Sequence, residues 1–186
     1  HPLYMVIQET LNMERLFTDA SARDIQIYFE YDKKELPYFC FGWEELFIKS
    51  NDVEKAIYAI DRSTQANNEA RSYINQHYES SLITIPFEKF VLDPNPFVAQ
   101  IADALGTKTT SATERALKRQ NVPRDKVSDG IPLDVYKRCG WEPSDKDLSE
   151  EGELSKRRDW TIEMGASERA IKLLDTLSSD YVKRFL

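Results

Sequence analysis

The sequence predicts an α/β protein dominated by helix, with one short central parallel strand and a candidate β-hairpin. Three observations predict it. Apolar residues recur at three-to-four spacing through most of the chain, the period of amphipathic helices. Over residues 25–31 the period drops to two, which is strand behaviour. Leu82-Ile83-Thr84-Ile85 is a brief β-branched run of the kind buried in parallel sheets.

The elements follow in order. Pro2 stands where a helix can start, and Leu3, Val6, Ile7, Leu11 and Phe17 supply its apolar face. Ile25, Ile27, Phe29 and Tyr31 alternate with Gln26, Tyr28 and Glu30. A polar turn, Asp32-Lys33-Lys34-Glu35, leads to a second extended segment from Leu36 to Phe41, with Pro37 holding it at an edge. Asn51 or Asp52 caps a long helix reaching about Tyr78, with Val53, Ile57, Ile60 and Ile74 inward and a polar, exposed middle. Asn95-Pro96 opens a helix that Gly106 closes, with Phe97, Val98, Ile101 and Leu105 on its apolar face. Ser111 with Glu114 makes a capping box, residues 121–131 form a loop, and Pro132 to Cys139 is a short helix ended by Gly140. The acids from Glu142 to Glu153 read as solvated and mobile. Ser167 caps a last helix with Ile171, Leu174, Leu177, Tyr181, Val182 and Phe185 inward.

Bulk properties narrow the function. The 186 residues suit one domain spanning 1–186, and 41% hydrophobic content is enough for a core. No apolar run approaches the ~20 residues of a membrane span. A formal charge of -7 argues against general nucleic-acid binding, which wants a basic stripe. Only two cysteines and two histidines occur, in no ligand-like spacing, so neither a disulfide framework nor a metal site is expected. These features suit a soluble cytoplasmic protein. A chain opening on His1 in mid-element reads as an N-terminally truncated domain.

No phosphate loop, dinucleotide fingerprint, zinc-protease or nucleophile-elbow motif is present. The informative stretch is ITIPFEKFVLDPNPFVAQIADALG, residues 83–106. A strand runs into Phe87-Glu88; Asp93-Pro94 follows, then a helix closing on Leu105-Gly106. This order resembles the sulfotransferase superfamily, whose members carry a strand ending in Tyr/Phe-Glu-Asp, an Asn/Asp-Pro and an amphipathic helix with a glycine cap. His1-Pro2-Leu3-Tyr4 is similar to that family's strand-to-helix junction, Arg-[Asn/His]-Pro. Ser155-Lys156-Arg157-Arg158-Asp159-Trp160 is similar to its late basic loop ending in Gly-Asp-Trp.

The resemblance implies the helix-rich C-terminal part of a P-loop-like three-layer fold. It implies a donor, 3′-phosphoadenosine-5′-phosphosulfate (PAPS), whose sulfuryl group passes to a hydroxyl or amine acceptor, a small molecule or a glycan. In the family an Arg and a Ser at the junction, with the late basic loop, hold the 3′-phosphate. Here that Arg would precede His1, and Gln8 occupies the Ser position. The implied donor contacts are therefore His1, Gln8, Lys156, Arg157 and Arg158. The phosphosulfate loop and catalytic base have no counterpart in this sequence, so no catalytic residue is assigned. The chain is expected to be incomplete and inactive alone.

The segment from Tyr28 to Phe47 is dense in aromatics. Tyr38, Phe41 and Trp43 are candidates for an acceptor-pocket wall, or else simply pack the hairpin onto the long helix. The three bases can likewise grip a phosphate or pair with the neighbouring acids. His77 reads as surface, and Trp141 as a packing anchor. Two rival readings stand: a non-enzymatic helical interaction domain, which predicts that the 82–85 strand is an edge or absent, and a kinase-like phosphotransferase.

Overall fold

Proline at the first helical turn and a stripe of apolar residues set the first element, α1 (Pro2–Thr18), in the computed structural model, which describes residues 1–24, 26–78, 82–129 and 148–186. Its buried face is Leu3, Val6, Ile7, Thr10, Met13 and Leu16. The expected Leu11 and Phe17 fall off this stripe: Leu11 is half-buried and Phe17 exposed. Steps of three and four counted from Leu3 reach Met13 and Leu16 instead. After a single turn, α2 (Ala20–Arg23), the chain forms an antiparallel hairpin from β1 (Tyr28–Tyr31) and β2 (Lys34–Pro37).

The hairpin turn is tighter than the sequence suggests. Asp32 (φ 46°) and Lys33 (φ 60°) both take left-handed backbone, as a two-residue turn matched to strand twist requires. Lys34 and Glu35 thereby join the ladder, opposite Tyr31 and Glu30. Past Pro37 the chain leaves the sheet at once in a 3₁₀ turn (Tyr38–Cys40), so the extended segment expected to reach Phe41 stops there.

A short helix, α3 (Glu44–Lys49), precedes the longest, α4 (Asp52–His77). Asn51 caps α4: its Oδ1 accepts from the Glu54 backbone N–H at 3.0 Å, and Glu54 Oε2 accepts from the Asn51 N–H at 3.4 Å. Val53, Ala56, Ile57 and Ile60 are buried; Ile74, expected inward, is half-buried. Then come α5 (Phe87–Leu92), α6 (Asn95–Ala104), α7 (Ser111–Arg119), α8 (Glu150–Glu163) and α9 (Glu168–Phe185). The cap of α7 is Thr110, with Thr113 as its reciprocal partner, one residue before the expected Ser111–Glu114 box. Gly106 (φ +61°) takes the left-handed position that ends α6, and Leu105 beside it is 72% exposed, not inward. Ser167 caps α9, its Oγ accepting from the Ala170 N–H.

The expected parallel strand over 82–85 is not formed. Residues 82–86 are neither helix nor strand; Leu82 is exposed and residues 83–85 are half-buried. A parallel strand needs a neighbour for its N–H and C=O groups, and the hairpin is the sole ladder among the described residues. β-Branched composition favours extended backbone but supplies no partner. The Pro132–Cys139 helix, Trp141 and the acids from Glu142 to Asp147 lie outside the described residues.

The chain divides into two compact units, His1–Asn68 with Gly152–Val182, and Glu69–Glu151 with Lys183–Leu186. The first unit has its core between α1, α3, the start of α4, α8 and α9, with Phe47, Ile7, Ile57 and Leu174 fully buried. Asn51 Nδ2 donates to the Gly165 carbonyl at 2.8 Å, and Glu54 Oε1 accepts from the Ser167 N–H at 3.2 Å, tying α4 to the α8–α9 turn. In the second unit Glu88, Val91, Val122 and Val127 are buried, and the Arg124 N–H donates to the Val91 carbonyl at 2.7 Å. No helix of the described residues is long and apolar enough to cross a membrane.

Candidate functional site

Two segments at opposite ends of the sequence meet in the first unit. His1 caps α1 through its imidazole, Nδ1 accepting from the Leu3 N–H at 3.2 Å. The His1 ring is buried edge-on to Tyr181, with centroids 5.4 Å apart, and to Tyr4 at 6.3 Å. Arg157 of α8 then covers Tyr4, its guanidinium carbon 4.6 Å from the ring centroid, a cation–π contact. Gln8, half-buried, stands one helical turn beyond Tyr4 on the same face. Of the residues implied by the donor resemblance, His1 and Arg157 are thus drawn together around Tyr4.

The basic segment itself is not a loop. Residues 155–160 lie inside α8, where acids in the first turns and bases one turn later favour helix. Glu153, expected in solvent, is 2% exposed. Its Oε1 accepts from Arg157 Nε at 2.6 Å, and its Oε2 has no hydrogen-bond partner among the described residues. Arg158 grips Asp175 of α9 with both arms of its fork, at 2.8 and 2.9 Å. That hydrogen bonding, ahead of the Coulomb attraction of Asp175, raises the Arg158 pKa above its already high ordinary value. Lys156 is exposed, and Trp160 is half-buried. Arg157 thus reaches α1 through Tyr4, while Arg158 serves the α8–α9 packing.

The aromatic segment separates into two groups. Tyr38 and Phe41 stack on each other, centroids 5.8 Å apart and planes 19° apart, and both are exposed. Trp43 is buried, and its Nε1–H donates to the Phe39 carbonyl at 3.0 Å. Phe41 and Trp43 line a groove of about 490 Å³ between α1 and α4; Tyr38 does not. Of the three candidate wall residues, the structure therefore gathers two at one cavity.

Glu9, Tyr4 and Glu153 complete these two places and were not singled out from sequence. The Glu153–Arg157 pair was legible as an acid four residues before a base, but spacing alone does not tell a buried pair from a solvated one. Among the described residues no cluster of His, Cys, Asp and Glu could hold a metal. His77 is exposed as expected, with its ring stacked on Tyr73 at 4.2 Å. Compared with family models, with curated proteins and with solved structures, the chain matches none.

Proposed function

We propose that this chain forms the 3′-phosphate side of the donor site of a PAPS-dependent sulfotransferase, whose phosphosulfate loop and catalytic base are not in this sequence. The observation that carries the reading is the contact of Arg157 with Tyr4, 4.6 Å from guanidinium carbon to ring centroid. It joins the two segments that the family resemblance pairs around one phosphate. A guanidinium forks onto phosphate oxygens, and a helix N-terminus adds amide donors and a favourable dipole. On this reading residues 82–86 would gain their ladder from neighbouring strands of a P-loop-like sheet. The acceptor would be a hydroxyl or amine, approached from the Phe41 and Trp43 side.

Glu153 sets the strength of the grip. Its carboxylate already neutralises Arg157, so an incoming phosphate must share or displace it. Weak binding and no turnover are the consequence for the chain alone. Calorimetric titration with adenosine 3′,5′-bisphosphate tests this. Weak saturable binding, reduced about tenfold in Arg157→Ala, is the expected result. Absence of binding would sink the donor assignment, and tight binding would contradict the missing grip.

A second reading is a non-enzymatic helical interaction domain. The unpaired 82–86 segment and the exposed Tyr38–Phe41 stack favour it. It predicts that the bisphosphate does not bind at all.

A further inference from the structure

The groove between α1 and α4 combines features that a packing defect does not need. Met5, Glu9 and Met13 line one side at successive turns of α1. Opposite them α4 offers small residues, among them Ala59, Ser63 and Ala66, which leave room at the floor. Phe39, Phe41 and Trp43 close the end. That end is held in place. Gly42 takes φ +87°, a left-handed conformation that costs a side-chain-bearing residue about 1 kcal/mol, and a Cβ there would meet nothing within 4 Å. The turn therefore requires glycine for its backbone alone. The Gly42 N–H donates to Glu44 Oε1 at 2.8 Å, and the Trp43 indole is pinned to the Phe39 carbonyl.

Within this apolar surround sits one carboxylate, Glu9, half-buried. Burial is the largest influence on it and raises its pKa, opposed by a hydrogen bond with Asn12. The other charged residue on the lining, Arg62, is exposed. A carboxylate in such a place is poorly solvated, and a cation brought alongside it relieves that cost.

We propose that this groove binds a small apolar ligand carrying a protonated amine, with the ammonium on Glu9 and the apolar body against Met5, Met13, Phe39 and Trp43. Two thioethers and two aromatic side chains suit an aliphatic or aromatic body of varied shape. Charge complementarity selects the amine: the half-buried charge is negative, and the positive one, Arg62, is exposed to screening solvent. The proposal rests on the groove alone, so failure of bisphosphate binding would leave it untouched.

Three probes with a common phenylethyl body test it by calorimetry at neutral pH: 2-phenylethylamine, 2-phenylethanol and 3-phenylpropionate. The amine should bind roughly tenfold more tightly than the alcohol, as a charge-assisted contact predicts. Glu9→Gln should erase that preference while leaving the alcohol unchanged. Ser63→Phe is a second variant: Ser63 is exposed on α4, so a ring there fills the groove without entering the core, and all binding should be lost. Equal binding of amine and alcohol would overturn the proposal. So would a preference that survives Glu9→Gln, or tightest binding of the carboxylate with dependence on Arg62.

Discussion

Glu153 and Arg157 form an ion pair one helical turn apart in α8, Oε1 to Nε 2.6 Å, with side chains only 3% and 10% exposed. Removing one partner of such a pair leaves an uncompensated buried charge, which costs about 3–5 kcal/mol. Glu153→Leu and Arg157→Met should each destabilise by that order. The double variant should recover most of the loss, because an apolar pair of similar volume has no charge to desolvate. Urea unfolding of the four proteins measures the coupling, and additive losses would show that the two charges do not depend on each other.

Asn51 both caps α4 and reaches Gly165, so its two functions can be separated. Asn51→Ala should cost about 1–2 kcal/mol, the upper part of the range for losing a cap. Asn51→Asp keeps an acceptor for the Glu54 N–H but loses the donor to the Gly165 carbonyl, and should fall between wild type and the alanine variant. Denaturant midpoints decide the order. An aspartate variant as weak as the alanine one would assign the whole effect to Gly165.

Two carboxylates should tilt the acid stability profile in opposite senses. Hydrogen bonds from the Ser21 side chain and then Arg15 hold Asp19 down to about 2. Its folded pKa lies below the ordinary 3.8, so its contribution is complete above that pH and is lost as the pH falls toward 2. Glu9 is the reverse case. Burial raises its folded pKa above the ordinary 4.5, so its contribution is present below that pH and is lost as the pH rises through the folded value. Asp19→Asn should flatten the acid limb, and Glu9→Gln should gain stability relative to wild type only toward neutral pH. Urea midpoints across the acid range check both signs.

Cys40 should be inert in the folded protein. It is fully buried, and burial, then the nearby charge of Glu44, push its thiol up to about 11. At pH near 8 roughly one molecule in a thousand carries the thiolate. Alkylation followed by peptide mass spectrometry should find the Cys40 peptide unmodified until denaturant is added. Rapid labelling of the native protein would mean that the hairpin end opens readily.

Local signals carried much of the architecture. Pro2, Asn51, Ser167 and Gly106 mark helix boundaries because each acts through its own backbone or a partner within four residues. The hairpin was visible as a change of period from three or four to two, although its turn type was not. Asp32 tolerates left-handed backbone, but Lys33 has no such preference, so the pair does not announce two consecutive left-handed residues. The candidate site was legible in part. His1 and Arg157 were named from the family resemblance, whereas Tyr4 between them and Glu9 in the groove surfaced only with the coordinates.

The amino-acid sequence by itself determined where α1, α4 and α9 begin and where α6 ends, that a hairpin follows α1, and that aromatics crowd the segment after its second strand. These depend on periodicity and capping, which act over a few residues. Tertiary structure alone decided that residues 82–86 find no ladder partner among the described residues, that Glu153 is buried with Arg157, and that Glu9 lies in an apolar groove. Pairing, burial and desolvation depend on which distant surface arrives alongside, and local sequence does not encode that arrival in any pattern of spacing.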